Sequence, residues 1–351
     1  MIVSLGASGK PDRAAAGDHE AAKGESAYMS IATIIVNYQA GALILSHLER
    51  VLAEMRTVPG SNLFVVDNAS PNGDAALLAE GLAGIDDAHF IAAPENGGFS
   101  YGNNVALKRA LPQGFDHYLL LNPDAYPAPG YMVTLSDFLR THPQVGIVGS
   151  RLEGEDGHVQ CSAFRAMSAL GELENAAQTG PVTRLLQRAV VAPLPADQAH
   201  PTDWVSGASM MIKREVFERI GLMDEDYFLY YEETDFQYAA KKAGFEIWYV
   251  PEARAVHLVG QSTDFDDERQ QQGALPAYWF DSRHRYFRKN RGAAYAVLAD
   301  AAFVVGKSIS ALRGLLSGRG AGAEIRAVRS VLAARKRARG QAQSATQIKA
   351  V

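Results

Sequence analysis

The sequence contains carboxylates that directly follow apolar runs, and these are the residues best suited to chemistry. The clearest case is the stretch Leu119-Leu120-Leu121-Asn122-Pro123-Asp124. A buried strand cannot hide an isolated carboxylate, so Asp124 is expected where the strand opens into a cleft and meets a cation or a hydrogen-bond donor. A metal ion is one such partner. The alternative is a plain turn, which Asn-Pro-Asp followed by further prolines and a glycine also favours.

A second group of carboxylates lies beside aromatic side chains. Tyr230 and Tyr231 are followed by Glu232, Glu233 and Asp235. Like charges so close together beside aromatic rings raise the pKa of at least one carboxyl group towards the range useful to a general base. The alternative is the acidic first turn of a helix, which the helix dipole stabilises in any protein. Both interpretations can hold together.

Two further features could bind a ligand. His257 could ligate a metal through a neutral imidazole, although a lone histidine more often packs or faces solvent. The loop 95–104 is rich in glycine and asparagine, which permits close backbone approach, and a helix expected to start near Asn103 would offer N–H groups to a phosphate. The glycines do not form the dinucleotide fingerprint, so an ordinary glycine-rich turn stays an alternative.

The elements around these residues predict an α/β sheet. Runs 31–36 and 63–66 are almost wholly apolar, as in strands covered on both faces, and an amphipathic helix over 42–56 separates them. This is a βαβ unit, whose strands end at one edge of the sheet. Asn37 and Asp67 are therefore expected to face the crevice that Asp124 faces. Further helices are predicted over 74–81, 131–141, 167–188 and 214–220, and further strands over 89–91, 117–121, 145–149, 204–212 and 245–251.

Composition limits the classes of function. The 351 residues are 47% hydrophobic and 21% charged, which is an ordinary globular balance for one large or two ordinary domains. The single Cys161 excludes an intramolecular disulfide and a cysteine zinc cluster, and it suits a reducing cytosol. Residues 1–29 lack the apolar core of a secretory signal and are predicted to form a disordered leader.

Positive charge concentrates near the C-terminus, although the formal net charge is -5. Residues 283–339 contain fourteen lysines and arginines but only two acids. The segment 293–316 is the nearest approach to a membrane span, and charged residues interrupt it. Basic amphipathic helices over 292–340 would lie on an anionic membrane, or pack on the rest of the chain or on a dimer partner. Interleaved aromatics are lacking, which disfavours nucleic acid as a partner. A flexible tail is expected over 341–351.

Several motifs follow one another in a recognisable order: Ile34-Ile35-Val36-Asn37-Tyr38, Val65-Val66-Asp67-Asn68-Ala69-Ser70, Asn96-Gly97-Gly98-Phe99-Ser100-Tyr101-Gly102-Asn103-Asn104, Leu121-Asn122-Pro123-Asp124, Trp204-Val205-Ser206-Gly207-Ala208, Tyr230-Tyr231-Glu232-Glu233-Thr234-Asp235, His257 and the closing stretch 281–289. In this order they resemble family 2 glycosyltransferases of the GT-A fold, and the bacterial rhamnosyltransferase-like group in particular. The resemblance implies a Rossmann-like mixed sheet over 30–291, with a nucleotide-sugar half (30–150), an acceptor half (151–291) and a C-terminal helical extension.

The resemblance also implies an activity, that of an inverting hexosyltransferase in cell-surface polysaccharide synthesis. Such an enzyme moves a sugar from a nucleoside diphosphate sugar to a hydroxyl of a glycan or lipid-linked glycan. The favoured sugar is L-rhamnose, with dTDP-rhamnose as the donor. UDP-galactofuranose or another UDP or GDP sugar is an alternative donor, and a catalytically silent scaffold that binds sugar nucleotides is an alternative function. The protein is expected in the cytoplasm, at the inner face of the cell membrane. A further copy of the chain, in a homo-oligomer, is an additional expected partner.

Roles are carried over position by position. Asp124 would hold Mg²⁺ or Mn²⁺ on the diphosphate, with His257 as the additional ligand. Asn122 occupies the first acidic place of the family's DXD motif, which leaves one charge fewer on the ion. The catalytic base is placed at Glu233, with Glu232 and Asp235 as alternatives. The nucleotide-sugar residues are Asn37, Asp67, Asn96, Gly97, Gly98, Asn103 and Asn122. Trp204, Tyr230 and Tyr231 would contact the acceptor, although aromatics there are about as often core.

Overall fold

The computed structural model describes residues 29–258 and 275–348. Residues 1–28 of the predicted leader and 349–351 of the predicted tail lie outside these ranges. The strands are β1 Ile31–Asn37, β2 Asn62–Asp67, β3 Ala88–Ala92, β4 His117–Leu121, β5 Ala125–Pro127, β6 Val145–Glu153, β7 Val159–Gln160, β8 Ala163–Phe164, β9 His200–Thr202, β10 Trp204–Val205, β11 Ser209–Lys213 and β12 Glu246–His257.

The helices alternate with these strands in the first half of the chain and follow one another at its end. They are α1 Gly41–Met55, α2 Asp74–Gly81, α3 Gly98–Ala110, α4 Tyr131–Thr141, α5 Ala169–Ala177, α6 Gly180–Leu185, α7 Arg214–Ile220, α8 Glu232–Lys242, α9 Ala277–Arg291, α10 Ala293–Leu316 and α11 Gly322–Ile348. The alternation in the first half places parallel strands side by side with helices across their faces.

The main sheet is mixed, with the order β3-β2-β1-β4-β11-β6-β12-β5. The first four strands are parallel and end together, since Asn37 lies beside Asp67 and Asp67 beside Ala92. β11 runs antiparallel between β4 and β6, so its first residue, Ser209, lies beside Leu121 at that same edge. The carboxyl ends of four strands and the start of β11 therefore share one edge. The predicted α/β fold with a mixed sheet is confirmed.

Helices cover both faces of this sheet, which explains why its central strands are mostly apolar. On β4, Leu119 and Leu121 pack on the side of α1 and α4, while Tyr118 and Leu120 pack on the side of α3 and α7. All four side chains are buried. Strands buried on both faces cannot alternate polar and apolar residues.

The structure departs from the sequence prediction at three elements. The helix expected over 167–188 is divided into α5, α6 and a 3-10 turn, because Gln178 adopts a left-handed φ of 47° and Pro181 starts a new helix. The strand expected over 204–212 is interrupted at residues 206–208, since β10 pairs with β8 instead of the main sheet. At the C-terminus, α11 continues to Ile348 and so includes most of the segment predicted as a tail.

The C-terminal helices are fixed to the rest of the chain by a buried arginine. Arg283, on α9, has a side chain that is only 1% exposed. Its guanidinium donates to Glu172 Oε2 on α5 and to Asp300 Oδ1 on α10, both at 2.7 Å, and to the Ala299 carbonyl oxygen at 2.9 Å. Each charge is paired and hydrogen-bonded, as burial requires.

Replacing Arg283 by alanine is expected to destabilise the protein by about 3–5 kcal/mol, because Glu172 and Asp300 would remain as buried carboxylates without their cation. Chemical denaturation followed by circular dichroism measures the change in the free energy of unfolding. The matched control is Arg288→Ala on the same helix, where the side chain is exposed and the expected change is small. Equal losses in the two variants would contradict the role of the buried ion pairs.

Candidate active site

The common edge of β1 and β2 is built from buried polar side chains. The Asn37 amide nitrogen donates to Asp67 Oδ1 at 2.7 Å, to Ser70 Oγ at 3.2 Å and to Asp74 Oδ2 at 3.1 Å. Asp67 Oδ2 accepts from the Ser70 N–H at 3.1 Å. Asn37 and Asp67 thus hold the ends of the two strands together beneath the crevice. A direct contact of either residue with a nucleotide stays a prediction.

The glycine-rich loop is held by asparagine side chains and by the segment that precedes α8. Asn96 Oδ1 accepts from Asn68 Nδ2 at 2.9 Å and from the Gly98 N–H at 3.1 Å. Gly98 has a φ of +87°, and a Cβ atom there would lie 1.8 Å from the Phe228 carbonyl oxygen. That oxygen accepts from the Phe99 N–H at 2.9 Å. Only glycine fits this approach. The loop and the segment around Phe228 therefore form one surface.

The helix after this loop begins earlier than the sequence prediction, which corrects the expectation for Asn103. α3 starts at Gly98, because glycine tolerates the left-handed conformation that leads into the helix. Asn103 lies in the second turn, is buried, and donates from Nδ2 to the Phe99 carbonyl oxygen at 2.9 Å. Its backbone is thus inside the helix rather than at a free N-terminus. The N-terminal end of α3 belongs to Gly97 and Gly98.

The two predicted metal ligands come together at the other end of the crevice. Asp124 follows β4 and is 1% exposed. β12 pairs antiparallel with β5, which places His257 opposite Ala125, and the Leu258 N–H donates to the Asp124 carbonyl oxygen at 2.9 Å. This pairing brings His257 Nε2 to 3.5 Å from Asp124 Oδ1. The family resemblance had named both residues as ligands, but no local pattern in the sequence connects them.

The donor atoms of this pair fit a divalent cation. A carboxylate oxygen ligates Mg²⁺ or Mn²⁺ in proteins, and an imidazole nitrogen ligates divalent transition metals. Across residues 29–258 and 275–348, no three histidine, cysteine or acidic side chains form a group that could hold a metal ion. Within these ranges, Asp124 and His257 form a candidate pair of ligands. Magnesium ions are commonly held by only one or two protein carboxylates, with substrate phosphates and water completing the shell.

Two of the three carboxylates on α8, Asp235 and Glu232, are buried within the protein. Asp235 Oδ2 accepts from Lys289 Nζ at 2.6 Å, and its Oδ1 accepts from Asn290 Nδ2 at 2.6 Å and from the Tyr227 hydroxyl at 3.2 Å. Glu232 is 4% exposed, and burial, followed by the charge of Glu233, holds its pKa well above the ordinary value. Asp235 thus ties α8 to α9, and Glu232 points into the protein.

Glu233 is the least buried of the three carboxylates at the start of α8. It is half-buried, and a Cβ atom at Gly207 would lie 3.5 Å from Glu233 Cβ. The next residue, Ala208, accepts from the Asn122 N–H at 3.0 Å, so the segment 206–208 connects Glu233 to the end of β4. Among the described residues, Glu233 Oε2 has no hydrogen-bond partner. Burial raises the pKa of this carboxyl group, while the N–H groups of Glu233 and Thr234 act in the opposite direction.

The aromatic residues predicted to contact an acceptor have packing roles of their own. Tyr230 and Tyr231 adopt left-handed φ values of 69° and 70°, a costly conformation for aromatic residues that lies directly before Glu232. Tyr231 is buried against Trp279 and Tyr286, with ring centroids 5.7 Å away in each case. The two tyrosines thus set the position of the first turn of α8. Contact of either with an acceptor stays a prediction.

Trp204 also packs within the protein. Its ring stacks on Phe164 at a centroid distance of 3.9 Å, and its Nε1 donates to the Arg165 carbonyl oxygen at 3.0 Å. The residue is half-buried, so contact of Trp204 with an acceptor likewise stays a prediction. Three residues that take part in the site geometry, Asn68, Gly207 and Phe228, were not among the predicted site residues. Asn68 and Gly207 lay within the recognised motifs, whereas Phe228 carried no signal in the sequence.

Comparison with known proteins gives a consistent picture. The profile of the family described as "Glycosyltransferase like family 2" matches residues 29–274. An N-acetylglucosaminyl-diphospho-decaprenol L-rhamnosyltransferase of Mycobacterium tuberculosis is 27% identical over 253 residues, which are 66% of this chain and 77% of that protein. The low-salt glycan biosynthesis hexosyltransferase Agl10 of Haloferax volcanii is 26% identical, with 74% and 75% of the two chains covered. The dTDP-rhamnosyl transferase RfbF of Shigella flexneri is 21% identical, with 67% and 71% covered.

Among solved structures, the fold is similar to that of the mannosyltransferase PcManGT of Pyrobaculum calidifontis, determined in complex with GDP-Man and Mn²⁺. The TM-score is 0.52 at 16% sequence identity, and the match covers 87% of this chain and 81% of that one. At this level of identity the similarity concerns the fold, which is of the GT-A type.

Proposed function

The chain belongs to glycosyltransferase-like family 2, and from this membership we propose that it transfers L-rhamnose from dTDP-rhamnose to a hydroxyl group of a lipid-linked glycan. The family and the hexosyltransferase class rest on the match over residues 29–274 and on its relatives. The choice of rhamnose is supported by the names of two relatives, and the lipid-linked acceptor by the name of one.

A single observation carries the assignment of the catalytic apparatus. Glu233 lies against Gly207, and the next residue, Ala208, accepts a hydrogen bond from the Asn122 N–H. Asp124 follows two residues after Asn122, and His257 lies beside it. A partly exposed carboxylate and a candidate pair of metal ligands thus lie along one edge of the sheet. An inverting transferase needs a base for the acceptor and charge stabilisation for the leaving group, and it needs no protein nucleophile.

In the proposed reaction the Glu233 carboxylate takes the proton of the acceptor hydroxyl. The acceptor oxygen forms a bond with the anomeric carbon as the bond from that carbon to the diphosphate breaks, so the configuration inverts. The electron pair of the broken bond leaves with the nucleoside diphosphate. The raised pKa of Glu233 suits this role, because a more basic carboxylate takes up a proton more readily near neutral pH.

Asp124 and His257 are the residues that would hold Mg²⁺ or Mn²⁺ in this site, in agreement with the presence of Mn²⁺ in the mannosyltransferase complex. A bound divalent cation neutralises negative charge on the leaving diphosphate. In this proposal the nucleotide lies on a surface formed by Asn37, Asp67, Asn96, Gly97, Gly98 and Asn103. Asn122 completes this surface next to Asp124 and His257.

We further propose that the C-terminal helices hold the active site at the inner face of the cell membrane. α10 is one helix in the described ranges that is long and apolar enough to cross a membrane, with 33% of its most apolar window buried. Its buried face includes Asp300, which is paired with Arg283, so the helix is attached to the catalytic domain. Leu298, Val305 and Leu312 are exposed at intervals of seven residues and form one apolar stripe. Such a stripe suits a helix that lies in the membrane interface.

Replacing Leu298 and Leu312 by glutamate is expected to weaken binding to phosphatidylglycerol vesicles at least 10-fold, because each burial of a leucine contributes about 1.5–3 kcal/mol. Sedimentation with vesicles measures this change. The control is Leu77→Glu on α2, a similarly exposed leucine outside the C-terminal helices. If the double variant sediments as the parent chain does, the stripe does not contact membrane. If the parent chain is a dimer and the double variant is a monomer, the apolar stripe is instead the interface of a homo-oligomer.

The proposed function is tested by incubating the purified chain with dTDP-rhamnose, UDP-galactofuranose and GDP-mannose in turn, with and without Mn²⁺. A polyprenyl-diphosphate glycan and the free glycan serve as acceptors, and mass spectrometry detects the product. Rhamnose transfer that needs Mn²⁺ is the expected result. Transfer from another sugar nucleotide would overturn the donor assignment, and donor binding without transfer to any acceptor would favour the silent scaffold.

A further inference from the structure

Gln160 forms two hydrogen bonds with the same residue, His257. Its Nε2 donates to the His257 carbonyl oxygen at 2.8 Å, and its Oε1 lies 2.9 Å from His257 Nδ1. A backbone carbonyl can only accept, so the amide nitrogen must face it and the amide oxygen must face the ring. An amide oxygen also only accepts. His257 Nδ1 must therefore carry a proton.

This arrangement determines the chemistry at the other ring nitrogen. In a neutral imidazole with a proton on Nδ1, Nε2 carries a lone pair. That atom lies 3.5 Å from Asp124 Oδ1, so the lone pair is on the side of the ring that faces the carboxylate. A histidine binds a metal ion through this lone pair. The group that accepts a hydrogen bond from the other ring nitrogen commonly determines which nitrogen carries the lone pair.

The fold holds the ring from both sides. On one side, β12 pairs with β5, and His257 lies opposite Ala125, next to Asp124. On the other side, Gln160 ends β7, which pairs with β6 through Leu152. Gln160 and His257 are thus brought together by the strand order β7-β6-β12, far from each other in sequence. The hairpin 154–160 thus contributes the Gln160 side chain, which contacts His257, although the hairpin is not one of the strands that end at the crevice.

We propose that Gln160 is a positioning residue for the divalent cation, which it serves by fixing the His257 ring with a proton on Nδ1 and the Nε2 lone pair towards Asp124. The inference rests on the proposed function only in that Asp124 and His257 hold a metal. Gln160 itself touches neither cation nor sugar. Its loss therefore acts through His257.

The first measurement needs no metal and no substrate. Long-range ¹H–¹⁵N NMR of the full chain at mildly alkaline pH, where imidazole is neutral, reports which nitrogen of each histidine bears the proton. The His257→Phe spectrum identifies the His257 signals. The unchanged chain is expected to show the proton on Nδ1. Gln160→Met, which keeps the length of the side chain, is expected to lose this preference. Gln160→Glu is expected to keep part of it, because one carboxylate oxygen can accept from Nδ1 while the other cannot donate to the His257 carbonyl oxygen.

The second measurement is the affinity for Mn²⁺, followed by electron paramagnetic resonance in the presence of dTDP. We expect Gln160→Met to bind the ion about 10- to 100-fold more weakly, and Gln160→Glu to bind it more tightly than Gln160→Met does. Cys161→Ser is the matched control. Cys161 directly follows the hairpin, and its Sγ is directed at the carbonyl oxygens of Ala163 and Pro193. It should leave both measurements unchanged.

The outcomes separate this inference from the proposed function. An unchanged proton position or an unchanged Mn²⁺ affinity in Gln160→Met overturns the role of Gln160. Sugar transfer by the unmodified chain without Mn²⁺ binding overturns it too, and leaves the transferase activity standing. Loss of the proton preference together with weaker Mn²⁺ binding in Gln160→Met, both partly restored in Gln160→Glu, supports the inference.

Discussion

Replacement of Glu233 by glutamine is expected to lower the rate of sugar transfer by about 10²–10⁴-fold, the usual contribution of a general base. The amide has the shape of the carboxylate but cannot take the proton of the acceptor hydroxyl. Donor affinity should be preserved, because Glu233 acts on the acceptor in the proposed reaction. Initial rates measured with dTDP-rhamnose, together with calorimetric titration of dTDP, separate the two effects.

The other carboxylates provide the comparison for this prediction. Glu215→Gln is the control, since Glu215 is an exposed acid in the first turn of α7, and it should leave transfer unchanged. Glu232→Gln should have a smaller effect than Glu233→Gln, since the Glu232 side chain is buried inside the protein. A larger loss in Glu232→Gln would move the base from Glu233 to Glu232.

The same assignment predicts a pH dependence. Burial raises the pKa of Glu233, so the protonated and inactive form persists to a higher pH than it does for an ordinary glutamate. The rate is therefore expected to fall on the acid side as pH drops through this raised pKa, and to be constant above it. Rates at saturating donor and acceptor, measured from acid to neutral pH, test this. A rate that does not fall at acid pH would contradict the role of Glu233.

Replacement of Asp124 by asparagine is expected to lower transfer by about 100-fold or more, because a metal ion contributes several kcal/mol to stabilisation of the leaving group. The asparagine amide has the size of the carboxylate but no negative charge for the cation. It can also donate to His257 Nε2, now 3.5 Å from the carboxylate oxygen. The metal-free variant should therefore unfold at a temperature no lower than the unmodified chain does.

Three measurements on the Asp124 variant distinguish loss of the metal from loss of the fold. Mn²⁺ binding in the presence of dTDP should fall together with activity, while the thermal midpoint in EDTA should not fall. Asp137→Asn on α4 is the control, because Asp137 pairs with Arg140 at the surface. If Asp124→Asn retained Mn²⁺ affinity, the metal would have to be held elsewhere.

Local patterns in the sequence predicted most of the sheet and several helices. The helices over 74–81, 131–141 and 214–220 and the strand over 117–121 agree with the structure in their bounds. These elements depend on near neighbours in the chain, through apolar periodicity and turn residues. The start of α3 at Gly98 was not predictable in the same way. Its conformation depends on the carbonyl oxygen of Phe228, which is remote in sequence.

The sequence alone predicted which strands end in polar residues. Through the order of its motifs it also indicated the resemblance to a family of glycosyltransferases. It placed Asp124 at a strand end and Glu233 at a helix start, because apolar runs and their interruptions are local. Tertiary structure decided which of the three carboxylates is least buried, how near His257 lies to Asp124, and that Gln160 contacts the His257 ring. The reason is physical: hydrogen bonds between β12, β5 and the 154–160 hairpin join residues across long separations, and no local pattern encodes such pairs.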